Sequence, residues 1–274
     1  MNRILFTAEE IGSSLPIRDQ RAQHMLRILK VRPGDSVEIG VIEGAVGRAT
    51  VTGIGETDVT LDFVLSEESG PPLLPLTCLL GHPRPIVLKR ILRDLTAVGV
   101  GEIVICGTEL GERSYLKSAL WHNDAYRRFL IEGASQSGAT ALPQVRVTRS
   151  VAHALQSVDC EGPAFGTRLF FDEAAGAAGG AGSGADGDLP AAADTTKPDT
   201  DLAFPRHVVP PLIYAIGSER GWTPRERTLF LQAGWRTVGL GPRVLRVETA
   251  AVAAAVMCAS ALYGSSAGPR RDRP

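Results

Sequence analysis

Leu240-Gly241-Pro242-Arg243-Val244-Leu245-Arg246-Val247-Glu248-Thr249-Ala250 is the stretch on which the reading of the chain turns. A short strand at 237–240 leads into it. Gly241 and Pro242 set a tight turn, because glycine accepts positive φ and proline fixes its own. Arg243 and Arg246 then fall three apart in a loop, and an Ala-rich helix is expected from Glu248 to Tyr263. Upstream, Leu212-Ile213-Tyr214-Ala215-Ile216 is a continuous apolar run, the pattern of a strand buried on both faces. It feeds a second glycine-bearing loop, Gly217-Ser218-Glu219-Arg220-Gly221-Trp222. Thr223-Pro224-Arg225-Glu226 then predicts a helix start, with Thr223 as N-cap, Pro224 in the first turn and Glu226 reaching back. Gly234 is the expected stop. Two such loops at the carboxyl ends of parallel strands mark the edge where α/β sheets bind ligands. Two ordinary strand-to-helix turns would show the same spacing.

The alternation continues toward the N-terminus. Leu76-Thr77-Cys78-Leu79-Leu80, 102–106, 145–147 and Arg168-Leu169-Phe170-Phe171 read as strands, and 87–98 and 120–136 as helices. Strands alternating with helices predict a parallel α/β sheet. Before a linker at Ser69-Gly70-Pro71-Pro72 the texture differs. Residues 36–41, 49–52 and 59–64 alternate polar and apolar between turn residues, as short half-buried strands of a small barrel do, with one helix near 18–30. Residues 174–201 carry almost no large apolar side chain and are expected to form a disordered insertion. The GxGxxG match at 182–187 lies inside it, with no apolar period behind it, and reads as linker rather than dinucleotide site.

Composition narrows the classes. The formal net charge of the 274-residue chain is −1, so any nucleic-acid-binding surface must be local. Cys78, Cys106, Cys160 and Cys258 form no CxxC pair, which excludes a zinc ribbon and a dense disulfide framework and predicts buried thiols in a reducing compartment. The five histidines show no HxxxH or HExxH spacing, and no Walker A sequence occurs, so neither metal chemistry nor nucleotide hydrolysis is expected. Glu9 and Glu10 interrupt the N-terminus too early for a signal peptide, and the apolar run at 249–263 is shorter than a membrane span of roughly 20 residues. A cytoplasmic protein without a membrane segment is the expectation.

Cations cluster locally. From Phe204 onward arginine far outnumbers acidic residues, which suits an RNA backbone. In the N-terminal helix Arg18, Arg21, His24, Arg27 and Lys30 recur every three residues, as phosphate contacts or as a solvated face. Arg243 and Arg246 carry permanent charge on planar donor forks suited to a phosphate or a developing anion. An Arg246–Glu248 pair of purely structural role is the competing reading.

The two loops resemble the ribosomal RNA small-subunit methyltransferase E family, whose members carry G-P-E-G-G-(F/W)-(S/T)-x-x-E and L-G-x-R-I-L-R-x-E-T-A. Here these read Gly217 to Glu226 and Leu240 to Ala250. His24 to Asp35 is similar to the family's H-x-x-x-V-L-R-x-x-x-G-D, and Gln136 with Pro143 to its Q-S-x-x-x-x-P. The resemblance implies an α/β fold of the SPOUT type, with a parallel sheet and a C-terminal trefoil knot at 73–268, and an N-terminal PUA-like RNA-binding β-barrel at 1–70. It implies S-adenosylmethionine-dependent methylation of uridine N3 in 16S ribosomal RNA on the 30S subunit, by a homodimer with the terminal helix in its interface and no metal. Its implied cofactor contacts are Ala215, Ile216, Gly217, Ser218, Glu219, Gly221, Leu240, Gly241, Val244, Leu245, Arg246 and Thr249. Arg243, Arg246 and Glu219 would be catalytic. Arg3, Arg21, His24, Arg27, Lys30, Arg32, Arg84 and Arg113 would contact RNA.

Departures from the family pattern are specific. Its proline and second loop glycine are Ser218 and Arg220 here, the Lys and Glu of its K-A-T-E-L-G-V are absent from Asp94 to Val100, and an arginine is missing from Ser137 to Ala141. They leave room for an RNA-binding protein of the same fold without activity, or for an enzyme acting on another RNA.

Overall fold

The computed structural model describes residues 3–159, 166–172 and 203–265. The insertion expected at 174–201, its GxGxxG match, Cys160 and the terminal Arg270 and Arg271 lie outside the described residues. The chain forms two compact units: 1–74 with 92–99 and 125–143, and 75–91 with 100–124 and 144–274.

In the first unit β1 (Ile4–Phe6), β2 (Leu15–Pro16), β3 (Ser36–Val41), β4 (Ala45–Ile54) and β5 (Asp58–Ser69) make a sheet in the order β1-β3-β4-β5-β2. Only β1 on β3 is parallel; β3 on β4, β4 on β5 and β2 on β5 are antiparallel. The alternation in sequence puts Val37, Ile39, Ala49, Val51 and Val59 inside, with Phe6 and Met25. β4 and β5 run longer than their alternating cores, and register shifts between Ala45 and Gly47 and between Val51 and Gly53 bend the pair.

The expected helix at 18–30 is shorter and changes pitch. α1 (Gln20–His24), capped by Asp19 accepting from the Arg21 N–H, gives way at Met25–Leu29 to a wider π turn that ends on Lys30 at φ +54°. The pitch change breaks the three-residue ridge of cations. Arg18, Arg27, Lys30 and Arg32 are exposed and His24 is half-buried, whereas Arg21 turns inward.

The second unit is built on β6 (Leu74–Gly81), β7 (Val100–Cys106), β8 (Gln144–Thr148), β9 (Thr167–Phe171), β10 (Leu212–Ile216) and β11 (Arg236–Val238), in the order β11-β9-β10-β6-β7-β8. The pairs β10–β6, β10–β9, β11–β9 and β7–β8 are parallel. Every residue of β10 is buried, as its unbroken apolar run required. α2 (Pro85–Val98) begins in this unit, and α3 (Arg127–Ser137) belongs to the first. The single helix expected at 120–136 is interrupted: 3-10 turns occupy Arg113–Lys117 and Ala119–Asp124, and Asn123 and Asp124 take positive φ, which an α-helix cannot hold. α4 (Val151–Asp159), missed in the sequence, packs Val151, Ala154, Leu155 and Val158 into the core.

α5 (Pro224–Gln232) starts as expected: Thr223 Oγ1 accepts from the Glu226 N–H at 3.1 Å, and the Glu226 carboxylate accepts from the Thr223 N–H at 2.9 Å. Phe230 ties it to the sheet, stacked on Phe170 at 5.1 Å and edge-on to Trp222 at 4.8 Å and Trp235 at 5.1 Å. α6 (Val247–Ser265) is longer than the run read from sequence, and 18 of its residues reach a mean hydropathy of 1.5, apolar enough by composition to cross a membrane. One face of it is core: Ala251, Ala254, Ala255 and Cys258 are fully buried, and the Ala251 carbonyl accepts from the Tyr214 hydroxyl at 3.3 Å.

Candidate active site

Within the second unit three loops and the end of β9 meet around a cavity of about 560 Å³. The loops follow β6, β10 and β11, so the cavity lies at the carboxyl edge of the sheet, where strand ends and loop backbone leave polar groups facing outward.

Close packing shapes the loop after β10. A Cβ on Gly217 would come within 2.9 Å of the Gly221 backbone, and Gly221 itself sits at φ +66°. Its N–H donates to the Ser218 carbonyl at 2.9 Å, closing the turn. Below it, a Cβ on Gly81 would lie 2.6 Å from the Ser218 nitrogen, so strand β6 and this loop touch backbone to backbone. The buried Ser218 hydroxyl meets Thr108 Oγ1 at 3.2 Å. These contacts explain why small residues stand at 81, 217, 218 and 221. Gly241, at φ +99°, turns the loop after β11.

Of the residues expected to hold a cofactor, Ile216, Gly217, Ser218, Glu219, Gly221, Leu240, Gly241, Val244, Leu245 and Arg246 line the cavity. Ala215 is fully buried in the sheet core, one position behind that wall, and Thr249 is exposed on the first turn of α6. Of the expected catalytic groups, Arg243 and Arg246 are exposed at the cavity, and no ion pair joins Arg246 to Glu248 among the described residues. Glu219 has a defined partner: Oε1 accepts from the Arg84 backbone N–H at 2.8 Å, at the start of α2. That bond ties the loop after β10 to the loop after β6.

Sequence reasoning missed part of the wall. Phe171 and Asp172 reach it from β9, Trp222 and Arg227 from the other side of the β10 loop. Asp172, nearly buried, pairs with Arg227, whose Nη2 donates to Oδ1 at 3.0 Å, and the Trp222 indole N–H donates to the Phe171 carbonyl at 3.2 Å. The neighbourhood of β9 and β10 creates these contacts, and no motif announces them.

The cations expected to contact RNA divide. Arg84 lines the cavity, and Arg113 is exposed beside a second, smaller recess after β7. Arg27, Lys30 and Arg32 face solvent. Arg21 is committed internally: it binds Glu10 at 2.5 Å and Asp19 at 2.8 Å, donates to the Leu5 carbonyl and covers the Phe6 ring at 4.9 Å. The hydrogen bonds from Arg21 hold both carboxylates below their ordinary range. Arg3 donates to the Gly138 carbonyl, and its Nε is buried without a partner. Arg21 is left with no free fork for phosphate.

Two groups of nucleophilic or titratable character can be placed. Burial raises the thiols of Cys78, to about 12, and of Cys106 and Cys258, which keeps them protonated packing groups. Burial lowers the His82 pKa. Its Nδ1–H donates to the Pro83 carbonyl at 2.7 Å, and Nε2 accepts from the Trp121 indole at 3.1 Å, an arrangement for neutral imidazole. Among the described residues no cluster of His, Cys, Asp and Glu could hold a metal ion.

Comparison with known proteins places this architecture. The RNA methyltransferase domain family matches residues 70–259, and the RNA methyltransferase PUA domain family residues 17–64. A ribosomal RNA small subunit methyltransferase E of Treponema pallidum is 38% identical over 275 aligned positions, 99% of this chain and 94% of that one. A ribosomal RNA small subunit methyltransferase E 1 of Borreliella burgdorferi is 28% identical, covering 96% of this chain and 99% of that one. The crystal structure of a ribosomal RNA small subunit methyltransferase E from Neisseria gonorrhoeae, bound to S-adenosyl methionine, superposes with a TM-score of 0.67 at 20% identity, over 95% of this chain and 97% of that one. The fold is therefore the α/β SPOUT type with a PUA-like N-terminal domain, as the loop motifs implied, and the chain belongs to the ribosomal RNA small subunit methyltransferase E family.

Proposed function

We propose that the chain transfers a methyl group from S-adenosylmethionine to N3 of a uridine in small-subunit ribosomal RNA. The observation that carries this reading is the cavity between the two glycine-bearing loops, apolar along Ile216, Leu240 and Leu245 and cationic at Arg243 and Arg246. The residues fit the cofactor. At Gly221 an added Cβ would meet only open space, so the loop backbone there is bare and an adenosyl group can lie directly against peptide N–H and C=O groups. The three apolar side chains offer a dry face to its base. When bound, S-adenosylmethionine supplies an electrophilic methyl carbon on a sulfonium.

The chain's own part is to bind, orient and stabilise charge. A uridine N3–H is weakly acidic; its proton must pass to water before N3 can attack, and that loss places negative charge on the ring. Arg243 and Arg246 are permanent donors on the loop that turns at Gly241, and cations held against the bound base stabilise an anion better than water that must reorganise. Glu219 acts through structure: by accepting the Arg84 N–H it holds two walls of the cavity together.

Several finer features belong to the same reading. The working assembly is a homodimer, with the exposed apolar side chains of α6, Val256 and Tyr263, in its interface. The substrate is the 30S subunit rather than naked RNA, and the protein works in the cytoplasm. The test is transfer of labelled methyl from S-adenosylmethionine to 30S subunits lacking the modification, followed by mapping. Label on N3 of one uridine supports the proposal. Label on another atom or RNA moves the substrate, and no label with no cofactor binding removes the activity.

A further inference from the structure

The rim of the cavity holds more positive charge than stabilising one base requires. Arg84, Arg220, Arg243 and Arg246 reach it from three loops, all exposed, and none forms an ion pair with a described residue. The carboxylates nearby offset these cations only in part, and the cavity keeps a net excess of positive charge. Asp172 is taken by Arg227, Glu219 accepts a backbone N–H, and Glu248 stands half-buried in the first turn of α6. Like charges gathered round one cavity repel, and an arriving anion relieves the repulsion.

Two of the four are mechanically joined. Arg84 follows β6, Arg220 follows Glu219, and the 2.8 Å bond from the Arg84 N–H to Glu219 links their loops. Beneath that bond the Gly81–Ser218 backbone contact and the Ser218–Thr108 hydroxyl contact fix the spacing. Two forked guanidinium groups are thus presented from a braced platform, distinct from the loop that carries Arg243 and Arg246.

We propose that Arg84 and Arg220 form a phosphodiester subsite that grips the RNA backbone beside the nucleotide being methylated. The inference rests on the RNA-methylation reading above. Guanidinium forks suit phosphate oxygens in pairs. The carboxylate of S-adenosylmethionine shares that chemistry, and the experiment separates the two.

Fluorescence anisotropy of the labelled chain titrated with small ribosomal subunits, across a potassium chloride series, reads RNA binding without requiring turnover. Arg220→Gly and Arg84→Ala are each expected to weaken binding about tenfold, the scale of a hydrogen bond to a charged group. Each also reduces the slope of log affinity against log salt by about one. The Kd for S-adenosylmethionine, by calorimetry, stays unchanged. Arg225→Ala, which removes an exposed cation paired with Glu109 at 3.4 Å, leaves both quantities alone. Unaltered salt slopes in the first two variants overturn the subsite. So does an equal loss in Arg225→Ala, and a parallel fall in cofactor affinity assigns the pair to the cofactor instead. Reduced slopes in both variants, with no label transferred by the wild-type chain, keep Arg84 and Arg220 as RNA-phosphate contacts while sinking the methylation reading.

Discussion

Arg246 and Gly217 stand on different loops of one cavity and fail in different ways when changed. Arg246→Ala removes a donor that matters most once charge develops. Turnover should fall by about 10²–10³, the cost of losing one preorganised donor, while cofactor affinity holds. Single-turnover transfer and calorimetry on the same variant check this, and equal turnover would remove Arg246 from the reaction. Gly217→Ala acts on binding, since its Cβ would press on the Gly221 backbone at 2.9 Å. The loop must open, and loss of cofactor affinity should exceed any loss of thermal stability. At this scale the sequence was informative where a motif is continuous: Gly217, Gly221, Gly241, Arg243 and Arg246 were all legible. Asp172 and Arg227 were not, because their ion pair depends on β9 lying beside β10, a neighbourhood no local pattern records. Arg21 looked like one cation of a surface ridge, yet it is neutralised by Glu10 and Asp19, whose contribution is invisible until the chain folds back.

Helix α5 shows what a readable element looks like. Its cap, its first-turn proline and its stop were all stated by residue type, and the geometry follows them. Thr223→Ala should cost about 1 kcal/mol, the worth of an N-cap. Glu226→Ala should cost more, at about 2 kcal/mol or above, since the buried carboxylate also accepts the Glu109 N–H at 2.9 Å and its loss strands two donors. Phe230→Ala empties the centre of an aromatic cluster, and about 3–5 kcal/mol is expected. Urea midpoints for the three variants, in that order of loss, test the assignment. The segment 113–124 was the least readable element. Its apolar residues mimic a helical period, but Trp121 and Tyr115 pack around His82 instead, and that tertiary demand overrides the local preference.

For the whole molecule, His82 sets a pH dependence. The folded chain holds it neutral with a pKa below 6.5, while the unfolded chain protonates it near that value. The unfolded state therefore binds more protons below about pH 6.5, and stability should decline as pH falls through that window. Denaturation midpoints at pH 7.5 and 5.5 should differ less in His82→Gln than in the parent chain; an identical difference would exclude this histidine. The parallel sheet itself was legible from alternating apolar runs, but the order of its strands was not, since β10 lies between β9 and β6 although 40 residues separate it from the former. That placement reaches back to synthesis. Until Leu212 to Ile216 leave the ribosome, β6 has an open edge and β9 has no strand on either side. At about 5–20 residues per second the interval lasts a few seconds. A nascent chain stalled in that interval exposes adhesive strand edges, so rare codons read after β9 has emerged but while β10 is still inside the ribosome should lower soluble yield more than the same codons read once β10 is out.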